Sequence, residues 1–375
     1  MIVNRKAKSL TSEGQVVPPH ADKDFMSSMD LADPAGQQVP PADDDWLDSM
    51  RLAIRSTTEL RRMLGLATTI AGGPDSTPAE TSIDDENHGF PVFVPREFAA
   101  RMRPGDETDP LLMQVMPTHA EGVEVAGFHA DPVGDLQANV APGVLHKYAA
   151  RALVITTGAC GVHCRYCFRR AFPYQESGSR SQAYEPSLAY LRERRDLEEV
   201  ILSGGDPLTM TDAALDALIS KIEGIEHIGR LRIHSRMPIV IPSRVNRSLI
   251  ERLRASRLTV WMVVHSNHAA EIDGETAAAL QRMVDAGIPV LNQSVLLRGV
   301  NDSVEDLESL SRALIDCRVI PYYLHQLDRV AGAAHFEVSP ARGRELIEQL
   351  ESRLPGFAVP RYVSEIAGEK SKTRL

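Results

Sequence analysis

Six runs of branched apolar residues recur from residue 150 onward, and this beat constrains the fold more than any other feature of the chain. They are ALVIT (152–156), EVILS (199–203), LRIHS (231–235), LTVWMVV (258–264), IPVLNQSVL (288–296) and RVIPYYL (318–324). Helical patterns fill the gaps. Leu215, Leu218, Ile219, Ile222 and Ile225 share one face after a Thr211–Asp212 start. Leu307, Leu310, Leu314 and Ile315 share another, with Asn301–Asp302 expected as its cap. Ser followed by Pro opens a helix well, because the hydroxyl caps and proline suits the first helical position; Ser339–Pro340 therefore predicts a helix over 341–353. Apolar strands alternating with amphipathic helices predict a parallel βα sheet. Six units suit a doubly wound sheet or an incomplete barrel, and periodicity alone does not choose.

The rest of the chain is less regular. Residues 1–42 are rich in Pro, Asp, Ser and Gln and read as a disordered tail. Residues 43–149 read as a helical and irregular arm. Within it Trp46, Leu47, Met50, Leu52 and Ile54 predict a short helix and Thr58 to Leu66 a second. A polar, mobile link is expected at 72–89, then a Pro- and Gly-rich stretch over 90–146 that packs onto something else. The core is expected at 150–335 and a C-terminal segment at 336–375.

Charge and composition exclude several function classes. A formal net charge of −10 gives no footprint for nucleic acid or an anionic membrane. No run of 18 apolar residues is present to span a bilayer, and the N-terminus lacks the apolar stretch of an export signal. Three of the four cysteines fall within eight residues, which is not a disulfide framework, so a reducing cytoplasm is expected. Lysine is scarce: Lys6, Lys8, Lys23, Lys147, Lys221, Lys370 and Lys372 are the whole set, so chemistry that needs an amine has few places to find one.

The segment TTGACGVHCRYCFRR (156–170) follows the first predicted strand and places Cys160, Cys164 and Cys167 in a C-x3-C-x2-C spacing. Three thiolates on one tight loop can hold three irons of a cubane cluster, leaving the fourth iron open to chelate a small molecule. The competing readings are a zinc site or a structural thiol cluster. Zinc would need a fourth ligand, for which His163 and Cys317 are the nearest offers. Cys317 ends a predicted helix and reads as a core thiol.

This spacing after the first strand of a βα repeat is similar to the radical S-adenosylmethionine (SAM) enzymes. PGVLHKY (142–148), RYCFRRAFPY (165–174), LSGGDPL (202–208), IHSRMPIVIPSRV (233–245), NQSVLLRGVND (292–302), PYYLHQLD (321–328) and GEKSKT (368–373) resemble lysine 2,3-aminomutases. The resemblance is strongest to the short bacterial branch that supplies β-lysine for modifying elongation factor P. It covers the chain from about residue 43 to the end.

The resemblance implies an α/β fold, a partial (β/α)6 TIM-like barrel whose chemistry gathers at the C-terminal strand ends. It implies a [4Fe-4S] cluster on Cys160, Cys164 and Cys167, with SAM at the open iron. Ser203, Gly204, Gly205 and Asp206 would hold the SAM amino group, and His265 and Gln293 its ribose. Paired glycines also suit a plain tight turn. The second implied cofactor is pyridoxal 5'-phosphate (PLP), which needs a lysine for its Schiff base and cations for its phosphate. Lys372 stands at the family's Schiff-base position, with Lys370 the obvious misassignment. Lys147, expected just before the first strand, and Arg151, on it, match positions near the phosphate. Arg169 matches the residue that grips the substrate α-carboxylate, while Arg170 is expected to face solvent or a structural carboxylate. Asp328, and less directly Glu365, match carboxylates that bind the distal ammonium of lysine.

Two departures accompany the match. The chain lacks the C-terminal zinc cysteines of the larger aminomutases, so no structural zinc is expected and the matter of a homo-oligomer stays open. Arg374 replaces a proline usual after the Lys-Thr pair, which is expected to loosen the lysine loop. The implied reaction moves the amino group of L-lysine from C2 to C3, with a flavodoxin or ferredoxin as electron donor and an indirect link to elongation factor P and its ligase. The alternatives are an aminomutase for another amino acid such as glutamate, and a non-catalytic iron–sulfur redox protein.

Overall fold

The computed structural model describes residues 45–67, 89–175 and 184–375. The expected tail at 1–42 and nearly all of the polar link at 72–89 lie outside the described residues. Four short helices open the described chain: α1 (Asp45–Arg51), α2 (Thr57–Met63), α3 (Arg96–Ala99) and α4 (Pro110–Met113). Ten strands follow: β1 (Asn139–Ala141), β2 (Val144–Tyr148), β3 (Arg151–Thr157), β4 (Glu199–Gly204), β5 (Arg230–Ser235), β6 (Thr259–His265), β7 (Val290–Val295), β8 (Ile320–His325), β9 (Arg361–Ser364) and β10 (Thr373–Arg374). Among them lie α5 (Tyr184–Glu193), α6 (Asp212–Glu223), α7 (Met237–Val240), α8 (Arg247–Arg254), α9 (Gly274–Asp285), α10 (Val304–Asp316) and α11 (Pro340–Arg353).

The ten strands form one sheet in strict chain order. Strands β3 to β9 run parallel, each to the next, while β1–β2–β3 and β9–β10 pair antiparallel. A doubly wound sheet reverses its order at a switch point, and this one does not. The sheet is therefore a barrel arc, with β1 and β10 at its two edges. Side chains alternate as strands require. Val154, Leu202, Ile233, Met262 and Val290 join Leu188, Leu215, Ile219, Leu249 and Leu280 of the helices in one buried cluster. Leu153, Ile201, His234, His265 and Gln293 face the other way and line a cavity.

All six expected strands are present, and the structure adds four. Strand β2 carries a polar His-Lys pair, β9 has four residues and β10 only two, so none offers a branched apolar run. Lys147 thus lies on hairpin strand β2. Two helix expectations need correction. Helix α1 stops at Arg51; Leu52 is exposed, and Ile54 instead pairs with Val94 in an isolated bridge. Helix α10 is capped by Ser303, not by Asn301–Asp302. Asn301 is buried, and its amide donates to the Asn267 and Val295 carbonyls, tying two strand-end loops together. Thr211 and Ser339 cap α6 and α11 as expected, and Cys317 is a buried thiol at the end of α10. The arm packs directly on the barrel: Ile54, Leu60, Phe98, Leu111 and Val115 share the cluster of the strands and helices.

Candidate active site

A cavity of about 500 Å³ runs from the inside of the arc to the C-terminal strand ends. The residues that the resemblance assigns to cluster, cofactors and substrate all line it: the three cysteines, Ser203 to Asp206, His265, Gln293, Lys147, Arg151, Arg169, Asp328, Glu365 and Lys372.

The cysteine loop is pinned to the end of β4. Gly205 N donates to Thr157 O at 2.7 Å and Asp206 N to Ala159 O at 2.7 Å. A Cβ on Gly205 would sit 2.2 Å from Ala159 O, and Gly204 has φ +122°, so glycine is required at both by close approach and backbone conformation. All three thiols are unpaired and face the cavity. Burial, with the neighbouring sulfurs, pushes the Cys160 and Cys167 thiols up. Among the described residues no three His, Cys, Asp or Glu side chains close on a single ion. Neither candidate fourth zinc ligand joins the loop. His163 turns away, its Nδ1 2.8 Å from Pro91 O and its ring on Phe90, and Cys317 lies in the core.

The residues expected to hold SAM are placed by sheet register. His265 and Gln293 are direct neighbours across β6 and β7. Tyr166 stacks on His265 and meets its Nε2 at 3.0 Å, orienting the ring. The Asp206 carboxylate accepts from Leu208 N, Ser235 Oγ, Arg236 N and Met237 N, so it clamps β4 to β5.

A chain of ion pairs crosses the opposite wall. Arg169 Nε donates to Asp135 at 2.5 Å, Lys147 reaches Asp135 at 2.6 Å and Glu365 at 3.1 Å, and Lys372 pairs with Glu365. Burial alone would raise the Glu365 carboxyl, but Lys372 and Lys147 outweigh it and hold it down to about 2. Asp135 behaves alike: burial raises it, and Arg169 and Lys147 pull it below the usual range. Arg151 lies 4.6 Å over the Tyr148 ring. Arg170 pairs with buried Glu121, a structural carboxylate as expected.

Asp328, unlike Asp135 and Glu365, has no ion pair among the described residues. What exposure it keeps is to the cavity rather than to bulk solvent, and burial pushes its carboxyl up to about 7; Lys372 opposes that rise and Glu365 adds to it. An unpaired carboxyl facing a cavity is set to receive a cation.

Sequence reading missed Asp135, which lies in an irregular stretch with no motif around it, and it missed His234 and His325. Both histidines sit on inward positions of β5 and β8. His234 Nε2 is shielded from solvent and has no hydrogen-bond partner among the described residues. Burial, then Lys372, lowers His325 to about 3, so it is a neutral ring at any working pH. Histidines at inward positions of predicted strands were the available signal. These groups fit the implied cofactors: three thiols on one loop, a lysine amine in the same cavity, cations for a phosphate, and an orphaned imidazole nitrogen that a ligand would satisfy.

Comparison with known proteins agrees with this arrangement. The radical SAM superfamily matches residues 154–311. The chain is 43% identical to the L-lysine 2,3-aminomutase of Escherichia coli (strain K12), over 89% of this chain and 95% of that one. It is 44% identical to the Haemophilus influenzae enzyme of that name over 76% and 84% of the two chains. Identity to the Clostridium subterminale enzyme is 33%, over 90% and 79%. No helix among the described residues is long and apolar enough to cross a membrane. With a barrel arc, a three-cysteine loop and relatives of this identity and coverage, the chain belongs to the L-lysine 2,3-aminomutase family of radical SAM enzymes.

Proposed function

We propose that this protein moves the α-amino group of L-lysine to C3, giving β-lysine. One observation carries the substrate reading. An arginine and an unpaired carboxyl, Arg169 and Asp328, face the same cavity as Lys372, so the site offers a cation for a carboxylate and an anion for a distal ammonium. When bound, the cluster, SAM and PLP supply the electron, the hydrogen-abstracting radical and the stabilisation of the unpaired spin.

The chain's own residues bind, orient and exclude water. Cys160, Cys164 and Cys167 hold the cluster. The Ser203–Gly205 backbone, His265 and Gln293 hold SAM; the Asp206 side chain braces that loop. Lys372 supplies the amine that tethers PLP, with Lys147 and Arg151 near its phosphate. In the free protein Arg169 leans on Asp135 and on Ser203 Oγ at 3.3 Å, which keeps its fork facing the cavity for the substrate carboxylate. Asp328, with Glu365 beside it, receives the ε-ammonium.

The carboxylates also argue against glutamate, whose distal charge would meet Asp328 and Glu365 at close range, a repulsion of several kcal/mol in a closed site. A bare redox role would leave Lys372 and its ion pairs without purpose. In a reducing cytoplasm a flavodoxin or ferredoxin would supply the electron, and the β-lysine would serve the modification of elongation factor P. The test is anaerobic incubation of cluster-loaded protein with SAM, PLP, dithionite and either L-lysine or L-glutamate. β-Lysine from the first and no product from the second is expected. Preferential turnover of glutamate overturns the substrate, and absence of SAM cleavage overturns the chemistry.

A further inference from the structure

Arg236 follows β5 and lines the cavity beside Cys164 and Tyr166, where it pairs with Glu271. Its Nη1 is 2.8 Å from Cys164 Sγ and 2.8 Å from Tyr166 Oη. Its Nη2 donates to Gln114 Oε1 at 2.7 Å and to Glu271 Oε2 at 3.0 Å. The side chain is 7% exposed. Each partner is fixed by another: Gln114 Nε2 donates to Glu271 Oε1, and Asn267 Nδ2 donates to Gln114 and Tyr166. The Arg236 backbone N–H is held by Asp206 at 2.7 Å. A fork gripped at both ends cannot swing away, so its cation is aimed permanently at one ligand sulfur.

A guanidinium stays protonated in proteins, so this is a fixed charge-assisted hydrogen bond rather than a proton source. Adding one electron to an iron–sulfur cluster increases the negative charge on its sulfurs. A buried cation donating to one of them favours the reduced form, and hydrogen bonds to the sulfurs are among the levers that set cluster potentials. We infer that Arg236 is a positioning residue that eases one-electron reduction of the cluster carried by Cys160, Cys164 and Cys167. The electron comes from the external reductant and stays on the cluster, and no proton moves. The inference rests on the cluster reading proposed above. Its chemical point is that SAM cleavage begins only from the reduced cluster, so a cation on Cys164 acts before any substrate binds.

The test is an EPR-monitored redox titration of the cluster-loaded full chain without SAM. Parent, Arg236→Gln and Arg236→Lys are compared at matched iron content and melting temperature. At a fixed poise the ratio of reduced to oxidised cluster in Arg236→Gln should fall about tenfold, a midpoint about 59 mV more negative for a one-electron couple. Arg236→Lys, which keeps the charge, should lie between. A fully loaded Arg236→Gln protein with the parent's midpoint overturns the inference. Should that variant fail to load, the parent labelled with ¹⁵N-arginine decides. Its reduced cluster should show a nitrogen hyperfine coupling that Arg236→Lys lacks, and a parent without the coupling overturns the inference. A parent with no [4Fe-4S] signal defeats the proposed function instead.

Discussion

Asp328→Asn should separate stability from function, because the same unpaired carboxyl bears on both. Burial raises this group from 3.8 to about 7 in the folded protein. Between those two values the folded state holds a proton that the unfolded chain has released, so stability falls as pH rises through that window. Three units at 1.36 kcal/mol each make a loss of about 4 kcal/mol, complete just above pH 7. Asparagine has the same shape and does not ionise. The variant should therefore gain on the parent as pH rises, by about 2 kcal/mol between pH 5.5 and 8. Denaturant unfolding of cluster-loaded protein without PLP or lysine, at both pH values, measures the gap. Lysine turnover should move oppositely: without the carboxylate the bound ammonium is unpaired, and the rate should drop roughly 10²-fold or more. SAM cleavage without lysine should change little. A stability gap that stays constant between the two pH values would refute the claim that Asp328 is strained by ionising. Undiminished lysine turnover would refute its role as the ammonium's partner.

Serine at Cys160, Cys164 or Cys167 should remove the brown [4Fe-4S] absorbance and SAM cleavage, whereas Cys317→Ser should keep both; equal loss at Cys317 would point to a four-thiolate site. Borohydride reduction of the PLP-loaded protein should fix the cofactor to the peptide holding Lys372, and mass spectrometry should find the label lost in Lys372→Ala and kept in Lys370→Ala. Asp135→Asn removes the shared anchor of Arg169 and Lys147, so fluorescence titration should show weaker PLP uptake and kinetics a KM for lysine raised about tenfold or more. An unchanged KM would mean that those cations hold their places without it.

The six parallel strands were legible because strands covered on both faces need branched apolar runs, and such runs survive any change of loop. The two edges were not. A hairpin strand such as β2, with one face toward the cavity, can carry His146 and Lys147, and β10 needs only two residues to pair. The cysteine loop was legible from spacing, since three ligands on one loop are local in sequence. Asp135 was not: its function comes from contacts with Arg169 and Lys147, residues distant in the chain or on another element, and nothing in its own neighbourhood marks them. Asp206 illustrates the converse limit. A polar residue after paired glycines reads as a ligand group, and a motif cannot reveal that four protein donors also meet its buried carboxylate.

A lysine so near the end of this chain would ordinarily lie in solvent, and the sheet explains why Lys372 does not. Strand β10 pairs with β9 in a register that sets Thr373 opposite Ser364 and Arg374 opposite Val363. In an antiparallel pair the next opposed positions are Glu365 and Lys372, and opposed residues project to the same face. Their ion pair is therefore a consequence of backbone register, and the register itself is fixed by β9 joining the parallel sheet through β8. Leu375 adds a hold of its own, donating its N–H to Tyr362 O at 3.2 Å and packing against the cluster that contains Tyr362 and Leu324. Arg374, expected to loosen the lysine loop, instead occupies a paired position in β10. Residues 372–375 thus each have a partner upstream between Tyr362 and Glu365, and these contacts hold the amine toward the cavity. Losing that pairing frees Lys372 without touching the larger buried cluster of the barrel, and costs the smaller one only its contact with Leu375, which is why deleting 368–375 should abolish PLP binding and leave the unfolding transition of the core in place.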